Sequence, residues 1–344
     1  MLYFDNLYEI IFQRHRLMTC DEFVVISGYV GPAPVRRVRE IPLKTTVVYG
    51  MYASDGIHES LKSALVKEED EIRNLRVMCS TMPVHSKIYL WLNEGKVVHS
   101  LIGSANFSLN GLTAPYRETL AETTSDSFKP LESYMKTVLG RSVPCRDVSA
   151  GGRSSEERKR KTAVSSEEDS GTCELPLYLI RNGIRMIPKA SGINWGMSKL
   201  TGTHVNIEDA YVPIPAKTAD EHPRMFPVKQ SAPSNASAVA RANHRHNDAI
   251  EVIWDDGTQM QALLEGSRRR VSKDGSETWY PKQISSSPKK AVLGNYLRRR
   301  IGVPKGTAVA YEDLERYGRD SVSVSLQGEG IYYFDFSAKT KTTP

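Results

Sequence analysis

His85-Ser86-Lys87-Ile88-Tyr89-Leu90-Trp91-Leu92 runs through Asn93-Glu94-Gly95-Lys96 into Val97-Val98-His99-Ser100-Leu101-Ile102 and on to Gly103-Ser104-Ala105-Asn106. The segments on either side of the Asn-Glu-Gly-Lys turn are rich in β-branched, aromatic and apolar residues, so the stretch predicts a β-hairpin. Side chains alternate along a strand, which puts His85 and Lys87 on one face. The return of the hairpin brings the Gly-Ser-x-Asn turn beside them. An imidazole, an ammonium, a hydroxyl, a carboxamide and a close-approach backbone then share one pocket. That set suits a phosphodiester, with a nitrogen nucleophile and donors for the phosphoryl oxygens. It calls for no metal and no cofactor.

Outward from the hairpin, strands and helices interleave. Glu22–Tyr29, Lys44–Met51 and Leu75–Cys79 read as buried strands, and 57–71 as a helix with Leu61, Ala64 and Leu65 on one side. Glu118–Glu122 reads as a further strand and 127–139 as a closing helix. Met1–Phe12 reads as an amphipathic helix. The pattern predicts an α/β domain over residues 1–147, with helices flanking a mixed sheet. Residues 148–172 read as a linker, because Ser149 to Lys161 is almost without apolar content. Residues 173–344 read as a second, mostly β domain with two short helices (288–301 and 310–317) and a barrel-like outline. Asp209–Ile214, Ala249–Trp254 and Gln259–Leu264 are its strands, and 322–326 with 331–336 its closing hairpin.

The net charge of +6 is unevenly spread. Residues 1–150 hold 17 basic and 17 acidic side chains, whereas 173–344 hold 24 and 18, so the second domain is the better match for a phosphate backbone. The four cysteines (Cys20, Cys79, Cys145, Cys173) are too widely spaced for a zinc or disulfide framework. His244 and His246 lie among Asn and Arg without carboxylates or thiols and read as a polar loop. No leader and no apolar run of the ~20 residues that a membrane span needs is visible. A cytoplasmic protein with no membrane partner is expected.

The His85-x-Lys87 and Gly103-Ser104-x-Asn106 pair resembles the signature of the phospholipase D superfamily. Many members carry an Asp five residues after the Lys, where this chain has Leu92. That departure speaks against the lipid-cleaving branches more than against the nucleases. The resemblance implies that His85 is the nucleophile and that Lys87, Ser104 and Asn106 hold phosphoryl oxygens. It also implies that Glu118, twelve residues after Asn106, orients the histidine from its far ring nitrogen; Glu122 is a rival for that place.

The second half resembles the C-terminal domain of restriction endonucleases of the NgoFVII, NgoAVII and BfiI kind, a DNA-binding pseudobarrel shared with plant B3 factors. Gly192-Ile193-Asn194-Trp195-Gly196, Asp209–Ile214, Leu293–Gly302 and Tyr333-Phe334-Asp335-Phe336 carry the likeness. It implies two DNA-gripping loops. The first holds Trp195, Lys199, Thr201, Thr203, His204 and Asn206. The second holds Arg268, Arg269, Arg270, Lys273, Trp279, Lys282 and Gln283. Arginine takes both acceptors of guanine, Asn or Gln those of adenine, and lysine more often holds phosphate. Arg298-Arg299-Arg300 reads as a charged helix face.

The expected function is a sequence-specific, metal-independent restriction endonuclease acting through a phosphohistidine. Its expected partners are duplex DNA, a second copy bound through the nuclease domain and a cognate methyltransferase. A separate ATP-driven translocase is a further candidate, since this chain has no phosphate-binding loop of its own. The rivals are a DNA-binding protein with a decayed nuclease fold and a lipid phosphodiesterase.

Overall fold

The structure, a computed structural model, describes residues 1–114, 117–150, 171–201, 205–229, 247–271 and 277–338, without the side chains of 199–201. Two compact units divide the chain: Met1–Ser166 with Gln327–Ile331, and Glu167–Leu326 with Tyr332–Pro344.

The first unit runs β1 (Leu2–Tyr3), α1 (Leu7–Gln13), β2 (Glu22–Ser27), α2 (Pro32–Arg37), β3 (Lys44–Tyr49), α3 (Tyr52–Asp55) and α4 (Glu59–Glu71). It continues β4 (Leu75–Ser80), β5 (Lys87–Asn93), β6 (Lys96–Gly103), α5 (Leu109–Thr113), β7 (Leu120–Glu122), α6 (Phe128–Gly140) and β8 (Ser142–Pro144). Its eight strands form one sheet in the order β1-β7-β6-β5-β2-β3-β4-β8. β2, β3 and β4 are parallel and the other pairs antiparallel, so the sheet is mixed as expected. The predicted hairpin is β5–β6. Its loop is Glu94-Gly95, with φ of 49° and 74°. Positive φ at both central residues is the turn whose twist matches paired strands, and glycine takes it without a Cβ penalty.

Alternation along β5 sorts its side chains onto two layers. Ile88, Leu90 and Leu92 join Val24 and Ile26 against Leu131, Met135 and Val138 of α6. Lys87, Tyr89 and Trp91 face the other way. There Trp91 packs on Phe23 (ring centroids 4.9 Å apart) and Tyr89 on Phe107 (6.1 Å). Burying such aromatic rings stabilises the sheet by about 1.5–3 kcal/mol each. The lysine is thus rooted in an aromatic layer rather than on a wet face.

Three expectations need correction. The strand begins at Lys87, so His85 stands in the irregular segment before it. Strand β7 starts at Leu120, leaving Glu118 in the preceding loop. The N-terminus opens with β1 on the sheet edge, and the helix starts only at Leu7.

The second unit runs β9 (Thr172–Pro176), β10 (Leu179–Arg181), β11 (Ile184–Met186), β12 (Val212–Pro213), α7 (Ala216–Glu221), β13 (Asp248–Trp254) and β14 (Gln259–Glu265). It continues β15 (Arg268–Val271), β16 (Glu277–Tyr280), β17 (Gln283–Ser286), α8 (Ala291–Ile301), α9 (Tyr311–Tyr317), β18 (Ser321–Gly328) and β19 (Ile331–Asp335). Seven strands follow the order β12-β17-β14-β13-β19-β18-β9. The end strands β12 and β9 approach each other, so the sheet nearly closes into a barrel. Trp254, Phe334, Tyr296, Leu297 and Val324 are among the side chains that fill it.

The strand expected at Asp209–Ile214 shrinks to Val212–Pro213. Asp209 is spent on a loop, its carboxylate accepting from Asn206 N (2.9 Å) and its carbonyl from Gly196 N (2.7 Å). The reading of Arg298-Arg299-Arg300 as a charged face also fails. Arg298 is buried and donates to Ile193 O (2.9 Å) and Thr307 O (3.2 Å). Arg300 grips both oxygens of Asp255 (2.9 and 2.7 Å) and donates to Tyr296 Oη (2.7 Å). Only Arg299 faces out.

Candidate active site and DNA-reading loops

Pairing of β2 with β5 sets Ser27 opposite Lys87. The C-terminal end of β2 therefore meets the start of the hairpin, and β6 returns Ser104 to Asn106 to the same end of the sheet. Lys87 Nζ lies 3.1 Å from His85 Nε2 and donates to His85 O at 2.7 Å. Burial pushes the Lys87 ammonium below the usual lysine range. An ammonium can only donate, so this contact assigns the proton of neutral His85 to Nδ1 and leaves the lone pair on Nε2. That is the tautomer a nucleophile needs.

Asn106 is buried. Its Oδ1 accepts from Tyr29 N (3.2 Å) and lies 3.5 Å from Ser27 Oγ. Its Nδ2 donates to the carboxylate of Glu329, a residue of the same unit, at 3.2 Å. The amide's donor face thus takes an anionic oxygen. The turn that carries Asn106 is held from beneath: Tyr89 Oη donates to Ala105 O (2.8 Å). Ser108 then caps α5, its hydroxyl accepting from Gly111 N at 3.1 Å.

Ser104 and Glu118 form a second pair. Thr119 N donates to Ser104 Oγ (3.1 Å), and Ser104 N to Thr119 O (3.0 Å). The Ser104 hydroxyl hydrogen-bonds the Glu118 carboxylate. Burial raises the Glu118 carboxyl above the ordinary carboxylate range, and the Ser104 bond works against that rise. Glu118 lies within electrostatic range of Lys87. The structure sets Glu118 beside Ser104. Its rival Glu122 is engaged elsewhere, accepting from Tyr3 Oη (2.6 Å) and pairing with Arg14 (3.1 Å).

Sequence reading missed Ser27, Gly28 and Tyr29. Ser27 Oγ donates to Tyr29 O (2.6 Å) and accepts from Phe107 N (2.9 Å). The Tyr29 ring stands edge-on to His85, with centroids 6.1 Å apart, and its hydroxyl donates to Asp55 Oδ2 (2.6 Å). A glycine just past the apolar run Phe23–Ile26 was the available signal, because sites in open sheets gather at strand C-termini.

In the second unit, Trp195 packs edge-on against Tyr211 (5.7 Å), and Lys290 Nζ sits 4.9 Å from its ring centre. Asn206 is exposed. Thr203, His204, Lys273, His244 and His246 lie outside the described residues, as do the side chains of Lys199 and Thr201 and most of the expected linker. The second loop contains the β15–β16 hairpin, pairing Arg268 with Tyr280, Arg269 with Trp279 and Arg270 with Thr278. Its three arginines differ. Arg268 is partly buried and donates to Ile214 O (3.0 Å). Arg269 pairs with Glu277 across the hairpin, and Arg270 with Asp220 of α7 at 2.7 Å. Lys282 is exposed, and Gln283 Nε2 donates to Glu265 Oε2 (3.4 Å). Among the described residues no group of three or more His, Cys, Asp or Glu stands together as a metal cluster, and no helix is long and apolar enough to cross a membrane.

Residues 5–150 match the family model of the NgoFVII restriction endonuclease N-terminal PLD domain. Residues 171–327 match that of the NgoFVII C-terminal B3-like DNA-binding domain. No curated protein matches the chain. Among solved structures it is similar to NucT from Helicobacter pylori, at 16% identity over 36% of this chain and 82% of that one, with a TM-score of 0.28. It is also similar to a polyphosphate kinase from Porphyromonas gingivalis, at 14% identity over 39% and 21%, with a TM-score of 0.25.

Proposed function

The chain belongs to the NgoFVII restriction endonuclease family, a PLD-type nuclease domain followed by a B3-like DNA-binding domain, and from that premise we propose that it hydrolyses DNA phosphodiesters through a phosphohistidine on His85. The observation that carries this reading is the 3.1 Å contact between Lys87 Nζ and His85 Nε2 with Asn106 beside it. Incoming phosphoryl oxygens take over the ammonium and the Asn106 amide, which frees the Nε2 lone pair. That lone pair attacks phosphorus, and the P–O bond to the leaving nucleotide breaks. The leaving oxygen takes the Nε2 proton of the partner's His85, which enters this step as the imidazolium, in a dimer built through the nuclease domain. Water then attacks phosphorus, gives its proton to that second imidazole, and the N–P electron pair returns to His85. Lys87 and Asn106 stabilise charge on the equatorial oxygens in both steps. Ser104 and Glu118 support the pocket wall beside Lys87. No metal takes part in this chemistry.

The B3-like domain supplies sequence preference in this proposal through Trp195, Asn206 and the β15–β16 hairpin. A cognate methyltransferase and a separate ATP-driven subunit complete the system. The test is acid-labile labelling of the protein by a 5′- or 3′-phosphate-labelled duplex in excess chelator. Label should appear on the wild type and vanish in His85→Ala, which keeps its DNA binding. Cleavage that survives His85→Ala, or that stops with EDTA in the absence of an ATPase, refutes the mechanism.

A further inference from the structure

We infer that Ser27-Gly28-Tyr29, at the end of β2, is the floor of the phosphoryl pocket: Gly28, having no Cβ, lets His85, Lys87 and Asn106 close on one point, and Ser27 and the Tyr29 main chain set the direction of the Asn106 amide. The inference rests on the proposed reading of the site and adds two positioning residues to it.

Gly28 is the point on which the three key side chains converge. A Cβ there would lie 2.9 Å from His85 Cδ2, 3.4 Å from Lys87 Nζ and 3.5 Å from Asn106 Oδ1. Its φ is outside the left-handed region, unlike that of Gly95, so the backbone does not ask for glycine. Space does. The imidazole, the ammonium and the amide, brought by two segments of the chain, meet over this Cα more closely than a Cβ would allow.

Ser27 explains why Asn106 points as it does. An isolated carboxamide can flip, exchanging Oδ1 for Nδ2 at little cost. Here the Tyr29 N–H faces one end, and only an oxygen can accept from it. Nδ2 is therefore turned away, as the donor for an anion. The fully buried Ser27 hydroxyl holds this arrangement. Its single proton goes to Tyr29 O, and it accepts from Phe107 N, tying the chain after β2 to the residue after Asn106. Val24, Val25 and Ile26 precede it in the same strand. A hydroxyl among them is offset only by the bonds it makes.

The test uses the full-length protein with bis(4-nitrophenyl) phosphate, a diester that needs no sequence recognition. Gly28→Ala places a methyl 2.9 Å from His85 Cδ2 and must displace the imidazole; kcat/KM should fall on the order of 10²-fold. Ser27→Ala acts through Asn106, so kcat should fall about tenfold with KM near wild type, less than removing a donor outright. Ser27→Thr keeps the hydroxyl and should recover most of kcat. A purely structural role predicts the reverse order, because the added methyl of threonine crowds a fully buried site more than alanine does. Thermal unfolding and duplex DNA binding of each variant report the fold. Wild-type turnover with Gly28→Ala and Ser27→Ala equal to it overturns the floor alone. A wild type that neither turns over the diester nor becomes phosphorylated overturns the reading of the site, and the floor with it.

Discussion

Arg270 and Asp220 provide the sharpest test of the DNA-reading hairpin. The pair is 2.7 Å apart with side chains 53% and 42% exposed. An ion pair so open to water is worth about 0.2–1 kcal/mol. A bidentate arginine–guanine contact is worth about 1–3 kcal/mol of discrimination. A guanine that meets Arg270 would therefore outcompete Asp220, and the arginine can exchange partners at small cost. Arg270→Ala should lower the ratio of specific to non-specific affinity by roughly 5- to 150-fold. Asp220→Asn removes the competitor and should tighten specific binding by up to about fivefold. Losing a negative charge near DNA also favours any phosphate, so the double variant is essential. In the Arg270→Ala background, Asp220→Asn should do nothing for the specificity ratio. The assay is competition between a selected duplex and its scrambled version at one fixed ionic strength, since affinity depends steeply on salt. An unchanged preference in Arg270→Ala refutes the assignment. So does a gain in the ratio from Asp220→Asn that persists without Arg270.

Arg300→Met breaks a pair whose partners are 14% and 12% exposed, so it should destabilise the second unit by about 3–5 kcal/mol. That lowers its urea midpoint by roughly 1–3 M; Arg299→Met should leave the midpoint unchanged, and a normal midpoint in Arg300→Met contradicts the internal role. Burial lowers the Lys87 pKa, so cleavage should fall on the alkaline side at a lower pH than an ordinary lysine allows. The folded chain releases that proton before the unfolded one does, so the Lys87 contribution makes stability rise with pH across the same window. Activity and stability moving together there would exclude Lys87 as the group responsible. The raised Glu118 carboxyl works in the opposite sense to a paired carboxylate: its stability contribution is present below its unfolded value and lost as pH rises through its folded value. Glu118→Gln should flatten that part of the unfolding-temperature profile and retain more activity than His85→Ala; an unchanged profile shows that the carboxyl is not held in its neutral form.

The catalytic hairpin was legible because its signals are local. Period-two alternation, a Glu-Gly turn and two short motifs lie within 22 residues of sequence. What escaped reading was created by pairing. Ser27 and Gly28 matter only because β2 lies against β5, which sets Ser27 opposite Lys87. Glu118 sits at an expected spacing, and its neighbour Ser104 comes from the far side of the turn. Charge without a visible partner misled most. Arg298 and Arg300 look like surface residues until Ile193 O and Asp255 are brought to them from 105 and 45 residues away. Arg268 likewise has a partner that its sequence neighbourhood does not show, the Ile214 carbonyl.

The 79 residues between Ser27 and Asn106 also set when a nuclease comes into being during synthesis. At about 5–20 residues per second, roughly 4–16 s separate their emergence from the ribosome. Throughout that interval β2 is made but the amide it will aim is not. On the proposed mechanism, a nascent chain carrying His85 and Lys87 has its nucleophile and no phosphoryl pocket. Cutting on that mechanism begins only after Asn106 docks on the Tyr29 N–H, so a fragment ending before that residue should leave uncut the DNA of the cell that makes it.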